Sequence, residues 1–393
     1  MTMQADERCS YPTPVLPSHP VLRFSELCRD EAIEPSILDV GAHALTSSGR
    51  AAIAHALQLL SCTSEHEVLL PAYHCTAMRT PIEWLGARPM FYRLHPDLSV
   101  DLDDVENRIG PRTHSLIMAH FFGFPQDIRT MRALCHARGV YLIEDCAHAF
   151  FGRVHGEPVG SFGDYAIAST MKFFPSFDGG VLASRTRTIN GIGWRNGGMR
   201  FAIKASVNIL ERAAKYGRLR PLDGVLRAGS AAVGWLRSYG ALTTEVRGAS
   251  RGPQAAEGAA GFDPEWMHVR MSWPSVLAMR ATSWSRIITG RRRNYQWLAE
   301  RVEGLQGVRV VFPELPDHAV PYVVPLLFDS WSAAFESLKA HGVPLFRWED
   351  IPSGICDVST RYSWQLFQIP CHEGLRQKEL DWLYHCIQKA GAM

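Results

Sequence analysis

VYLIEDCAHAFFGRVHGEPVGSFGDYAIASTMKFFPSFDGGVLAS, residues 140–184, holds the reading that decides the fold. A short apolar run, Val140–Glu144, ends on Asp145. A second β-rich run, Tyr165–Ser169, leads at once to Lys172, and the turn Asp178–Gly179–Gly180 opens a third run, Gly180–Ser184. Short apolar runs bounded by glycine-rich turns read as buried strands. Asp145 and Ser169 fall at strand carboxyl ends, where open α/β sheets bind their ligands. A lysine in a turn between two buried strands is poorly placed to reach water. Its amine is then expected to be desolvated and nucleophilic, the state that attacks an aldehyde. Lys172 is also the only lysine before Lys204 in a chain that otherwise uses arginine. A carboxylate at the mouth of a sheet can pair with a protonated pyridine nitrogen.

The same rhythm extends outward over residues 41–190. It predicts a helix over Ala51–Leu60, strands over Glu67–Leu70, Pro89–Leu94 and Ser115–His120, and a helix over Ile128–Arg138 closed by Gly139. Alternation of this kind means an α/β fold with a mostly parallel sheet covered on both faces. The stretch TSSGRAA (46–52) opens the first helix; free backbone N–H groups at Ser48 and Gly49 suit a phosphate there, and the same residues also read as an ordinary N-cap. Residues 1–40 are proline-rich and read as an irregular arm over the main body or a partner subunit. The large domain is expected over 41–290, with a variable insertion over about 203–262. A smaller α+β domain follows over 291–393, with helices Arg291–Glu303, Ser332–His341 and Gln377–Ala390 and strands Val308–Phe312 and Tyr322–Phe328. Inside the insertion, Ala202–Tyr216 and Val225–Leu236 have helical spacing and Gly248–Gly261 reads as a loop.

Composition narrows the function classes. The 393 residues are 46% apolar and 20% charged with a net charge of +2, which fits a globular protein and excludes a general nucleic-acid binder. Between Ile203 and Gly252, nine Lys/Arg stand against three Asp/Glu. Contact with anionic lipid over 203–252 is one reading of that excess, and a solvated insertion is the favoured one. The nine cysteines form no CxxC pair, so neither a disulfide framework nor a zinc site is expected, and no metal is assigned. An N-terminus without a secretory pattern, and no apolar run of ~18 residues, make the expected location the cytoplasm.

Taken together, Ser48–Gly49 at a helix start, IEDCAHA (143–149) and GSFGD…Lys172…DGG resemble the DegT/DnrJ/EryC1/StrS family of aminotransferases. VLLPAYHCTAMRTPIEWLGARPMFY (68–92), HFFGFPQD (120–127), MHVRMSWPSVLAMR (267–280) and IPCHEGL (369–375) are similar to further family segments. The resemblance implies a fold-type-I pyridoxal-phosphate (PLP) transferase with a seven-stranded sheet and a smaller C-terminal domain. It implies Lys172 as the Schiff-base lysine and proton shuttle, Asp145 on the pyridinium nitrogen and His148 beside the ring. Ser48, Gly49 and Ser169 would take the phosphate, and Arg50 stands where the family has threonine. The ring-stacking position falls on Cys75, with Tyr73 and His74 as neighbours that could substitute. His268 stands where a partner subunit gives asparagine to the phosphate. The implied activity is transfer of an amino group from glutamate or glutamine to a nucleotide-linked keto sugar by a homodimer. Two other readings are an enzyme of the same fold acting on a non-sugar carbonyl, and a non-catalytic regulatory member. The dehydratase relatives replace the lysine, and Lys172 is present.

Overall fold

In the computed structural model, residues 11–28, 30, 32–219 and 262–393 are described. The expected helix Val225–Leu236 and loop Gly248–Gly261 lie outside these residues. The strands of the main sheet and its insertion are β1 (Ala42–Thr46), β2 (Glu67–Pro71), β3 (Arg88–Tyr92), β4 (Thr113–Ala119), β5 (Tyr141–Asp145), β6 (Arg153–Val154), β7 (Glu157–Pro158), β8 (Tyr165–Ser169) and β9 (Gly180–Ser184). All but the β6–β7 hairpin form one seven-stranded sheet in the order β1-β9-β8-β5-β4-β2-β3. The pairs from β3 through β8 are parallel, and β9 alone runs against its neighbours β8 and β1. The parallel strands are buried on both faces, so Val68–Leu70, Leu116–Met118 and Leu142–Ile143 read as unbroken apolar runs.

The helices predicted around this sheet form close to the expected bounds. Gly49–Leu59 is capped by the Ser48 hydroxyl, which accepts from Ala51 N–H. Ile128–Arg138 starts on Asp127 and stops at Gly139, which has the left-handed φ of 66° that glycine adopts without strain. Strand β1 was not expected. It is an edge strand in which only Ala44 and Thr46 are buried, so its apolar signal is weak.

Toward the C-terminus a three-stranded antiparallel sheet is built from Val308–Val310, Val323–Phe328 and Leu366–Pro370. Helices Trp331–Ala340, Asp357–Gln365 and Gln377–Gly391 accompany it. The helix expected at Arg291–Glu303 is longer, Trp284–Val302. Its start was missed because its donors are satisfied by Ser283, whose hydroxyl accepts from Arg286 N–H, and by Asp30 of the distant arm, which accepts from Trp284 N–H at 2.8 Å. This helix runs through position 290, where the large domain was expected to end. Among its described residues the arm carries the short 3₁₀ turns Phe24–Glu26 and Ile37–Asp39. It packs on the C-terminal part of the chain, with Val15 N–H donating to Gly342 C=O and Arg23 to Gly374 C=O.

The lysine-bearing loop is pinned by Asp178. One carboxylate oxygen accepts from the hydroxyls of Ser272 and Ser275, each at 2.5 Å, and the other from Ser272 N–H at 2.8 Å. Every partner donates, so the site suits a carboxylate and not an amide. Asp178→Asn would turn an acceptor into a misplaced donor in a buried network. It should lower unfolding free energy by ~2 kcal/mol in urea titration. Unchanged stability would show the network to be dispensable.

Candidate active site

Strand register brings distant residues together. Thr46, Gly180 and Ser169 lie side by side on β1, β9 and β8, so the start of the Gly49–Leu59 helix stands next to the end of β8. A side chain at Gly180 would place Cβ 2.4 Å from the Ser48 carbonyl and 2.6 Å from Gly49 N. At Gly179, with φ +131°, it would strike the Thr170 hydroxyl at 2.3 Å. Both glycines are therefore needed for the close approach of lysine loop and helix N-terminus. Asp145 ends β5, next to β8, and Lys172 ends a single 3₁₀ turn after Ser169.

A cavity of about 550 Å³ opens at these strand ends. Ser48, Gly49, Arg50, His74, Cys75, His148, Ser169 and Lys172 all line it. Asp145 is buried behind the lining, and its carboxylate accepts from Ala147 N–H at 2.8 Å. Burial pushes the Asp145 carboxyl above its ordinary range, against the pull of Ala147 N–H and of the Lys172 and His120 charges. A cation placed against this carboxylate would relieve that cost. Lys172 is half-buried, less shielded than its position between strands suggested, because the turn faces the cavity.

His148 is held on several sides. Its ring stacks on Phe122 at 5.5 Å and 19°, and lies 4.6 Å from the Tyr322 ring. Nδ1 accepts from Phe122 N–H at 3.3 Å, so in the neutral ring Nε2 carries the proton and is a donor. Burial, with the neighbouring Lys172 and His19, holds His148 well below the ordinary histidine range, which keeps it neutral. The HFFGFPQD turn that supplies Phe122 is tight: Phe122 itself has a φ of 57°, and a Cβ on Gly123 would meet Val320 C=O at 2.3 Å.

His268, expected to serve the phosphate of a partner subunit, does not line the cavity of its own chain; its ring lies 5.3 Å from His55, and the residue is exposed. The segment that carries it is bound to Ser47 and Arg195 through its backbone, which turns it away. Tyr73 is also absent from the lining, because its ring is packed 4.8 Å from Trp348 and buried. Of its neighbours, His74 is already stacked on Phe91 at 4.9 Å and 20°.

Sequence reading missed His19, Tyr322, Trp348 and Gln368, which reach the cavity from the arm and from the C-terminal part of the chain. It also missed Arg291. This guanidinium is fully buried, donates to the carbonyls of Lys172 at 2.7 Å and Tyr322 at 3.0 Å, and lies 4.5 Å over the Phe173 ring. Glu373 faces it at 3.2 Å. The only hint in sequence was the arginine run 291–293, which reads equally well as a solvated face.

A mostly parallel sheet of this order, with a lysine, a buried carboxylate and a helix N-terminus gathered at its carboxyl edge, has the fold-type-I architecture. Residues 38–191 match the model of the DegT/DnrJ/EryC1/StrS aminotransferase family. The GDP-perosamine synthase of Vibrio cholerae is 36% identical over 154 residues, which cover 37% of this chain and 41% of that protein. The dTDP-4-dehydro-2,3,6-trideoxy-D-glucose 4-aminotransferase of Saccharopolyspora spinosa is 36% identical over 139 residues, 35% of this chain and 36% of that one. The match thus spans about two fifths of the length of these relatives. Among solved structures, a putative sugar aminotransferase from Streptococcus pneumoniae in its PLP form has the same fold. Its TM-score is 0.62 at 12% identity, covering 89% of this chain and 87% of that one.

Burial also governs how the fold responds to acid. It holds His55 and His74 down to about 4 and His372 down to about 3, against an ordinary value of 6.5. The unfolded chain takes up protons below 6.5 that the folded chain refuses, so this stability is complete above that pH and is lost as pH falls toward 4. Melting temperature should drop between pH 7 and pH 5, and His372→Asn should flatten part of that slope. A flat wild-type profile would contradict the assignment.

Proposed function

We propose that this chain is a PLP-dependent aminotransferase that moves an amino group from glutamate or glutamine to a nucleotide-linked keto sugar, supplying a surface polysaccharide or a glycosylated natural product. The observation that carries this reading is the placement of the Lys172 amine in a cavity backed by the buried Asp145 carboxylate and floored by the Ser48–Gly49 helix start. The names of the relatives support the substrate class.

The residues present fit the cofactor. The close packing at Gly179 and Gly180 leaves a cradle at the helix N-terminus that suits a phosphate. Ser48 and Gly49 backbone N–H groups, the Ser169 hydroxyl and Arg50 would hold that phosphate. Asp145, whose burial favours a cationic partner, would hold the ring-nitrogen proton. His148, with its Nε2 proton, would donate to the phenolic oxygen. When bound, PLP supplies an aldehyde and an electron sink. Lys172 presents its amine to that aldehyde and afterwards holds and moves a proton at Nζ. His148, Tyr322 and Trp348, ring against ring, exclude water from one wall of the cavity.

A homodimer is part of this reading. Trp273 and Leu277 are exposed on one helix, and Met199, Ile203 and Val207 on the helix packed beside it, an apolar face suited to a second copy. His268, exposed five residues before Trp273, would be offered to that copy and not to its own cavity. A cytoplasmic location is supported by the described cysteines, all of them free, and by the described helices, none long and apolar enough to cross a membrane.

Lys172→Ala should abolish the visible absorbance of PLP-loaded protein and lower the donor half-reaction by about 10³-fold or more. Asp145→Asn should keep the fold and lower that rate by about 10²-fold, read by stopped-flow bleaching of the band with glutamate and glutamine. Wild-type protein that stays colourless with added PLP would refute the assignment.

A further inference from the structure

The arm places one histidine against the site, and the activity proposed above gives it no role. His19 is 8% exposed and lines the same cavity as Lys172. Its Nε2 is hydrogen-bonded to the Tyr322 hydroxyl at 2.9 Å, and its Nδ1 to the Ser18 hydroxyl at 3.0 Å. On its other side its ring meets Phe346 at 5.4 Å, at the start of the Phe346–Asp350 stretch of the lining. Tyr322 in turn lies 4.6 Å from the His148 ring, and Lys172 Nζ sits 5.3 Å from the centre of its own ring. A single phenol thus touches both the amine and the histidine of the site, and its hydroxyl is gripped from a residue 303 positions earlier in the chain.

We propose that His19 is a positioning residue: by hydrogen-bonding the Tyr322 hydroxyl it fixes the phenol that sets Lys172 and His148 relative to each other. The physical reason lies in how the phenol is otherwise held. Its backbone is fixed, since Tyr322 N–H donates to Phe122 C=O and its own C=O accepts from Arg291. The ring is packed against His148 and Phe173, and a hydrogen bond at its far end adds a directional restraint on rotation about the side-chain bonds. Burial, with Arg212, Lys172, His372 and Arg291 nearby, keeps the imidazole neutral, so one ring nitrogen accepts and the other donates. This links the arm to the chemistry without requiring His19 to touch the reacting atoms.

The inference rests on the aminotransferase reading, and its test separates the two. In PLP-loaded full-length protein, His19→Ala, His19→Gln and Tyr322→Phe are compared by the rate and half-saturation of band bleaching with the amino donor. Visible circular dichroism of the bound cofactor provides a readout independent of turnover. His19→Ala and Tyr322→Phe should each lower the saturated rate about tenfold, with half-saturation within about twofold of wild type, and weaken the dichroism by similar amounts. The double variant should be no worse than Tyr322→Phe alone. His19→Gln, whose amide can still meet the hydroxyl, should recover most of both signals. Losses that multiply in the double variant, a Gln variant no better than Ala, or a Tyr322→Phe protein indistinguishable from wild type would each overturn the inference. Tyr322→Phe keeps the ring and its packing, so the comparison survives if His19→Ala fails to fold. Wild-type protein that takes up no PLP overturns the aminotransferase reading and this inference with it; PLP uptake with His19 variants that behave as wild type overturns this inference alone.

Discussion

A buried guanidinium joins three separate parts of the chain at the point where the chemistry is placed. Arg291 donates to the carbonyl of Lys172, to that of Tyr322 and, at 3.3 Å, to that of Pro321, with Glu373 beside it and Phe173 beneath. Removing a charge of this kind from water is expensive, and carbonyl oxygens and one carboxylate offset the loss only in good geometry. Burial pushes the Glu373 carboxyl up to about 7 even with Arg291 opposing it, a measure of how dry the setting is. Such a group cannot shift without leaving donors unsatisfied. The lysine turn, the entry to the C-terminal sheet and the C-terminal segment are therefore set as one unit.

Around that unit, the motifs that look chemical divide their labour. In IED, Asp145 is buried behind the cavity lining while its neighbour Glu144 holds the turns: it accepts from the N–H groups of Gly160, Phe162 and Gly163 and from His120. The GSFGD turn is thus tied to β5 through the carboxylate next to Asp145. In DGG, the aspartate anchors the Ser272–Ser275 segment and the glycines admit the helix start. The spacing of these motifs reflects residues that hold the turns as well as residues that line the cavity.

The central sheet was legible because strands buried on both faces leave continuous apolar runs, and because Gly139 and Asp127 mark helix ends in their own sequence. The large-domain half of the site was legible for the same reason: Ser48, Asp145, Ser169 and Lys172 sit at strand ends and a helix start that local pattern locates. His19, Tyr322 and Arg291 were not. Their significance arises from contacts between separate parts of the chain, 119 positions apart for Arg291 and Lys172 and 303 for His19 and Tyr322, and each taken alone is an ordinary arm, strand or helix residue.

The contribution of residue 19 at one end and residues 322–368 near the other has a consequence for biosynthesis. When the ribosome has released the first two hundred residues, the main sheet can already pair and Lys172 can already sit at its edge. The wall formed by Tyr322, Trp348 and Gln368 does not yet exist, and the arm has nothing to close against. A nascent chain at that stage therefore presents an open groove and acquires the far wall of its cavity only once residues 322–368 have emerged.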